Sequence, residues 1–156
     1  EDQKARGGLN YWRLAFEASQ QQVVPPFLPD RVGLVVQSAL TRGQHQFHMH
    51  IGTMTEPYRK AVRTLRRDPA SIQLVFINGY QMRVKYVPDR AGEGPFSGED
   101  PLAAARSMLP DGDSGLAIHG ILAARAPEGG GTFVFMSAGL ARDELNYTQP
   151  YACQFR

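Results

Sequence analysis

The sequence predicts an α+β domain, an antiparallel sheet of about five to six strands with helices packed mainly on one face. Three observations carry this. Apolar or alternating runs of strand length recur at 31–37, 44–51, 72–77, 80–87, 115–124 and 132–137. Asn78-Gly79 separates two of them by two residues, a strong signal for an antiparallel hairpin. Three further stretches carry helix-start chemistry, at Asn10, at Thr55 and at Asp100-Pro101.

Residues 1–8 are polar and glycine-rich and read as an extended lead-in. Asn10 caps a helix in which Trp12, Leu14, Ala15, Phe16 and Ala18 form an apolar stripe, running to about Gln22. Pro25, Pro26 and Pro29 cannot continue it, because each removes a donor and fixes φ. Arg31 to Gln37 is β-branched and apolar, a buried strand. Ser38 to Gly43 is a short connection into the strand Gln44–Ile51, so the two form an antiparallel hairpin. Thr55 caps a second helix with Glu56 and Pro57 in its first turn and Arg63, Arg66 and Arg67 in its last. That basic end reads as a dipole match on a solvated face, or as a patch attracting phosphate-rich ligands or an anionic membrane surface. Residues 88–100 are rich in Pro and Gly and read as a mobile loop. Leu102 to Leu109 is a short helix, and Gly115–Ala124 and Thr132–Ser137 are strands joined through Glu128-Gly129-Gly130-Gly131. The tail from Leu140 is an irregular cover or edge segment.

Length and composition bound the function. A chain of 156 residues, 42% hydrophobic and 21% charged, suits one globular domain with a sizeable core. A net charge of +2 does not argue for nucleic acid. No run approaches the 18 or more apolar residues of a membrane span, and the polar first residues are not a signal peptide. Cys153 is the single cysteine; such a residue is a buried thiol or, in a secreted protein, one with a partner outside the chain. No phosphate-binding glycine loop of the G-x-x-x-x-G-K type and no G-x-S-x-G elbow is present.

Chemistry concentrates in Gln44-His45-Gln46-Phe47-His48-Met49-His50-Ile51. Three of the four histidines fall within six residues. On a strand, Gln44, Gln46, His48 and His50 share one face, and His45, Phe47, Met49 and Ile51 share the other, which can sit on a core. Paired imidazoles on an exposed face add little stability, yet they can do nucleophilic, acid–base or metal chemistry. Ordinary surface residues are the alternative reading. Arg42, Gln44 and Gln46 beside a nucleophile suit a phosphate-rich ligand, and the hairpin brings Gln37 and Ser38 close to Gln44 and Gln46. His-x-His could hold a metal, but no third ligand is placed, and no metal or other cofactor is expected. His119 stands alone between Ile118 and Gly120 and reads as structural.

The pattern resembles the histidine-triad superfamily, whose motif alternates three histidines with hydrophobic residues. More closely it is similar to the CDP-diacylglycerol pyrophosphatase family, a divergent, histidine-triad-like branch. The resemblance is carried by Asn10-Tyr11-Trp12-x-x-Ala15, Pro29-Asp30-Arg31, Gln37-Ser38, Thr41-Arg42-Gly43-Gln44 and Phe47-His48-Met49-His50-Ile51. It continues more weakly through Ser114-Gly115-Leu116-Ala117, Phe133-Val134-Phe135 and Cys153. It implies a single domain that hydrolyses the pyrophosphate bond of CDP-diacylglycerol or a similar nucleotide diphosphate. His48 falls on the nucleophile and His50 on the third histidine. Gln37, Ser38, Arg42 and Gln44 fall around the phosphates. Gln46 stands where the first histidine would be; it can hold His48 by a hydrogen bond but cannot become a cation. A non-catalytic module binding a nucleotide or phospholipid headgroup is the alternative that this replacement favours. The resemblance also implies the bacterial periplasm, inner membrane or export, with membrane-surface contact. The superfamily carries an N-terminal strand pair before its first long helix. The expectation here is a fragment of a longer or split protein, its open sheet edge filled by a second copy or a second chain.

Overall fold

The computed structural model describes residues 9–21, 25–38, 49–110, 115–137 and 148–149. Helix α1 (Tyr11–Gln21) begins where the sequence places it. The Asn10 side chain accepts from the Arg13 N–H at 3.0 Å, satisfying one of the donors a helix start leaves open. A 3₁₀ turn at Pro29–Arg31 leads into β1 (Val32–Val36). There follow β2 (His50–Met54), α2 (Glu56–Thr64), β3 (Ile72–Ile77), β4 (Tyr80–Pro88), α3 (Pro101–Ser107), β5 (Ile121–Arg125), β6 (Gly131–Ser137) and a two-residue β7 (Thr148–Gln149).

The strands form one antiparallel sheet in the order β3-β4-β6-β5-β1-β2-β7. Six strands have five or more residues, as expected; the seventh is a scrap of the tail against Thr53 and Met54 of β2. The central strands β1, β5 and β6 are buried along their whole length. Helices cover both faces, which is why these strands read as continuous apolar runs rather than alternating ones.

One face carries α1 and α3. There Trp12 and Phe16 pack with Leu34, Val36, Ile121, Val134 and Met108. The other face carries α2, whose Tyr58 and Val62 pack with Val35, Leu122, Phe133 and Phe135. Of the α-helices among the described residues, α1 and α3 therefore share a face, and α2 crosses the opposite one. Each such large side chain withdrawn from water contributes about 1.5–3 kcal/mol before entropy is counted.

Three local expectations are corrected. The strand after β1 is described from His50 and runs on through Gly52-Thr53-Met54, past the Ile51 end that the histidine periodicity suggests. It still pairs antiparallel to β1, Val35 opposite His50 and Leu34 opposite Ile51. The segment before Ala124 is not one strand: Leu116–Ile118 is a 3₁₀ turn, and β5 begins at Ile121. Arg66 and Arg67 lie beyond the end of α2, which closes at Thr64. The hairpin holds as read, with Asn78 and Gly79 both at positive φ (52° and 82°), as a two-residue turn of this hand requires.

The Pro/Gly-rich loop after β4 is a built structure rather than a loose one. Asp89 pairs with Arg125 (Oδ2 to Nη2, 2.7 Å), and both side chains are largely buried. The same carboxylate accepts from the Phe96 N–H at 3.0 Å. The Arg125 guanidinium lies 5.7 Å from the Phe96 ring centroid. Phe96 is itself buried, and its carbonyl accepts from Asn10 Nδ2 at 2.7 Å. Gly98 completes the clamp: a Cβ there would sit 2.1 Å from the Pro88 carbonyl oxygen. Asp100 then caps α3, accepting from the N–H groups of Leu102 and Ala103.

Removing one partner of a buried pair strands the other. Arg125→Ala is expected to cost about 3–5 kcal/mol in urea unfolding. The double replacement Asp89→Ala/Arg125→Met should recover part of it. A cost below about 1 kcal/mol would show that this pair does not hold the loop.

Candidate active site

One end of the sheet gathers the polar residues. At this end β1 finishes, β2 and β5 begin and β6 finishes, because adjacent strands run in opposite directions. His50 opens β2, half-buried, directly opposite Val35. Val35 in turn pairs with Leu122, and Leu122 with Phe135. His50 therefore belongs to the row that α2 covers, and its Nε2 is shielded from water. The expectation of an imidazole on an exposed sheet face is corrected at this residue. The physical reason is that this face of the sheet carries a second core, in which Val35, the partner of His50 across the ladder, is fully buried. Met49 and Ile51 point the other way and pack against the cluster of Trp12 and Phe16, as the two-residue period requires.

Gln37 and Ser38 follow β1 at the same end. Gln37 is half-buried, and Ser38 is buried. The register puts this end of β1 beside the head of β2, so His50, Gln37 and Ser38 lie on neighbouring chain segments. Arg42, Gln44, Gln46 and His48 lie outside the described residues.

His119 enters the same end from β5's side. It sits between the 3₁₀ turn and β5, half-buried, and its Nδ1 is hydrogen-bonded to the Ser137 carbonyl. A carbonyl only accepts, so Nδ1 carries the proton. Gly120, next along, receives further fixing: its N–H donates to Ser137 Oγ at 3.0 Å, and its carbonyl accepts from the Ser137 N–H at 3.1 Å. Ser137 thus ties the β5 and β6 ends together. Sequence reasoning missed it, because a serine closing an apolar run carries no signal of a contact 17 residues away.

A groove of about 440 Å³ opens elsewhere, between α2 and β3, lined by Pro57, Lys60, Ala61, Val75, Phe76 and Asn78 among others. It lies at the opposite edge of the sheet from His50. His50, Gln37, Ser38 and His119 are not among the residues that line it.

Comparison with family models finds a match to CDH: CDP-diacylglycerol pyrophosphatase, over residues 3–154. Comparison with curated proteins finds no match.

The contact between His119 and Ser137 makes a structural role testable. His119→Ala should lower the unfolding free energy by about 1–2 kcal/mol, the cost of an unsatisfied carbonyl and lost packing. Release of CMP from CDP-diacylglycerol should stay within a few-fold of the unaltered chain. Loss of turnover at unchanged stability would instead put the ring in contact with substrate.

Proposed function

Since the chain belongs to the CDP-diacylglycerol pyrophosphatase family, a family of phosphoric anhydride hydrolases, we propose that it cleaves CDP-diacylglycerol to CMP and phosphatidate through a covalent intermediate on His48. The observation that supports this most is the placing of His50. It opens β2 beside the segment carrying Gln37 and buried Ser38, and in sequence it stands two residues after His48.

The proposed sequence has two displacements. The neutral ring nitrogen of His48 attacks the phosphorus bearing cytidine, and an N–P bond forms as the bridging P–O bond breaks. Phosphatidate leaves with that electron pair. Water then attacks the same phosphorus, the N–P bond breaks, and CMP departs as His48 is regenerated. Splitting one difficult hydrolysis this way uses imidazole both as nucleophile and as leaving group.

The other roles follow from residue chemistry. His50, Gln37, Ser38, Gln44 and Gln46 would donate to phosphate oxygens as charge moves between them, and Arg42 would add a fixed positive charge. The withdrawal of His50 Nε2 from solvent strengthens any such interaction, because little water competes for it. Gln46, in place of a first histidine, can orient His48 but cannot lend a proton. On this reading the chain works at the periplasmic face of the bacterial inner membrane or is exported.

The test is replacement of the nucleophile. His48→Ala should lower CMP release by about three orders of magnitude or more, and Ser38→Ala by roughly tenfold to a hundredfold, the cost of one donor to developing charge. Turnover by His48→Ala at the unaltered rate would end the assignment. Calorimetric binding of CMP by the unaltered chain with no product formed would replace hydrolysis with a binding role.

A further inference from the structure

Among the described residues, the edge strand β3 leaves an apolar face without cover. Along it Gln73, Val75 and Ile77 alternate with Ile72, Leu74 and Phe76. Val75 and Ile77 pack in the cluster under α2. Ile72, Leu74 and Phe76 take the other face, and their exposure rises along the strand, 49%, 60% and 75%. Tyr80, across the turn, is 42% exposed. Helix α3 stops one strand short of them: Lys85 of β4 reaches Ser107, and Arg83 of β4 donates to the Met108 carbonyl. A flat apolar edge of this kind is normally blunted or covered.

The position of the patch matters. Met82 pairs with Ser137, so Phe76, Gln81 and the Asn78-Gly79 turn project past the end of β6. This is the end of the sheet that carries His50, Gln37 and Ser38. The hairpin tip and the candidate site thus lie at one end, roughly 24 Å apart across five strand spacings.

Across the β3 edge, on the α2 side of the sheet, the charge is predominantly basic. From Glu56 to Arg67 the chain carries Arg59, Lys60, Arg63, Arg66 and Arg67 against the single carboxylate of Glu56. Glu56 is itself paired with Arg59 at 2.5 Å. Lys60, Arg63 and Arg66 are exposed, and Lys60 lines the groove with Phe76 and Asn78.

We propose that the β3–β4 hairpin is a bilayer-docking edge, with Leu74 and Phe76 entering the acyl boundary of an anionic membrane and Lys60, Arg63 and Arg66 resting on its headgroups. The family's substrate supports this occupant, since a diacylglycerol nucleotide keeps both acyl chains in the bilayer and offers only its polar end to a water-filled site. Charge disfavours a second copy joined strand to strand, because pairing two β3 edges would bring two basic stretches together, and light scattering reads out a copy stacked through Leu74 and Phe76. Apolar insertion and basic contact are the two contributions that hold an interfacial protein. The hydrolase reading enters only in where the substrate lies, and binding is measured separately from turnover.

The experiment uses the full chain and two surface variants, Leu74→Ser/Phe76→Ser and Lys60→Glu/Arg63→Glu. Each is sedimented with vesicles of phosphatidylcholine, with and without phosphatidylglycerol. The unaltered chain should sediment with the anionic vesicles. The first variant should bind them at least about tenfold more weakly, and the second should lose the preference for phosphatidylglycerol. Both should hydrolyse a short-chain, monomeric CDP-diacylglycerol as the unaltered chain does, and the vesicle-embedded lipid about tenfold more slowly or worse. Equal sedimentation of all three proteins, or none by the unaltered chain, overturns the proposal. A dimer in light scattering that Leu74→Ser/Phe76→Ser dissociates, with vesicle binding unchanged, also overturns it and gives the edge to a second copy. Vesicle binding as expected with no turnover of either substrate upholds the docking edge and removes the catalytic reading.

Discussion

The register of β1 between β2 and β5 is the constraint on which the rest depends. Val35 faces His50 on one side and Leu122 on the other, while Leu34 faces Ile51 and Ala123. A slip of one residue would exchange every side chain between the two faces. It would drive the His50 imidazole toward Trp12 and Phe16 and lift Ile51 toward α2. The register holds because both faces of β1 are buried and differently filled, so neither set of side chains fits the other's place. The position of His50 at this end of the sheet is thus a consequence of packing. No local preference of the histidine segment would produce it.

The parts of this fold that were legible in the sequence are those whose cause is local. Asn10 caps α1 through a bond to a residue three positions on. Asn78-Gly79 turns the chain by its own backbone freedom, and Asp100 caps α3 two and three residues ahead. The apolar run of β1 announces its burial directly. What was not legible depends on partners far away in sequence. The loop after β4 reads as loose from its prolines and glycines. It is held instead by Arg125, 36 residues from Asp89, and by Asn10, 86 residues from Phe96.

The candidate site divides in the same way. That Met49 and Ile51 seek the core while His50 turns away follows from a two-residue period, and it holds. That the face opposite the core is itself covered could not be read from the period, because it requires knowing that α2 crosses the sheet. The polarity of the strand ends was only half visible. Gln37 and Ser38 could be placed beside the histidine segment, whereas Ser137 and its hold on Gly120 and His119 come from the β5–β6 register alone. The arrangement sets imidazole and hydroxyl groups at one end of a rigid sheet, with an apolar, base-flanked hairpin reaching past the same end. A lipid with a charged, hydrolysable headgroup has both kinds of surface.

The central claim is that an imidazole of the histidine segment takes up the nucleotidyl group before water does. Rapid-quench mass spectrometry of the intact chain mixed with CDP-diacylglycerol tests it most directly. A transient adduct of cytidylyl mass that maps to the peptide containing His48, formed and consumed at rates sufficient for turnover, is the predicted result. Steady release of CMP with no adduct on that peptide at any quench time would contradict it.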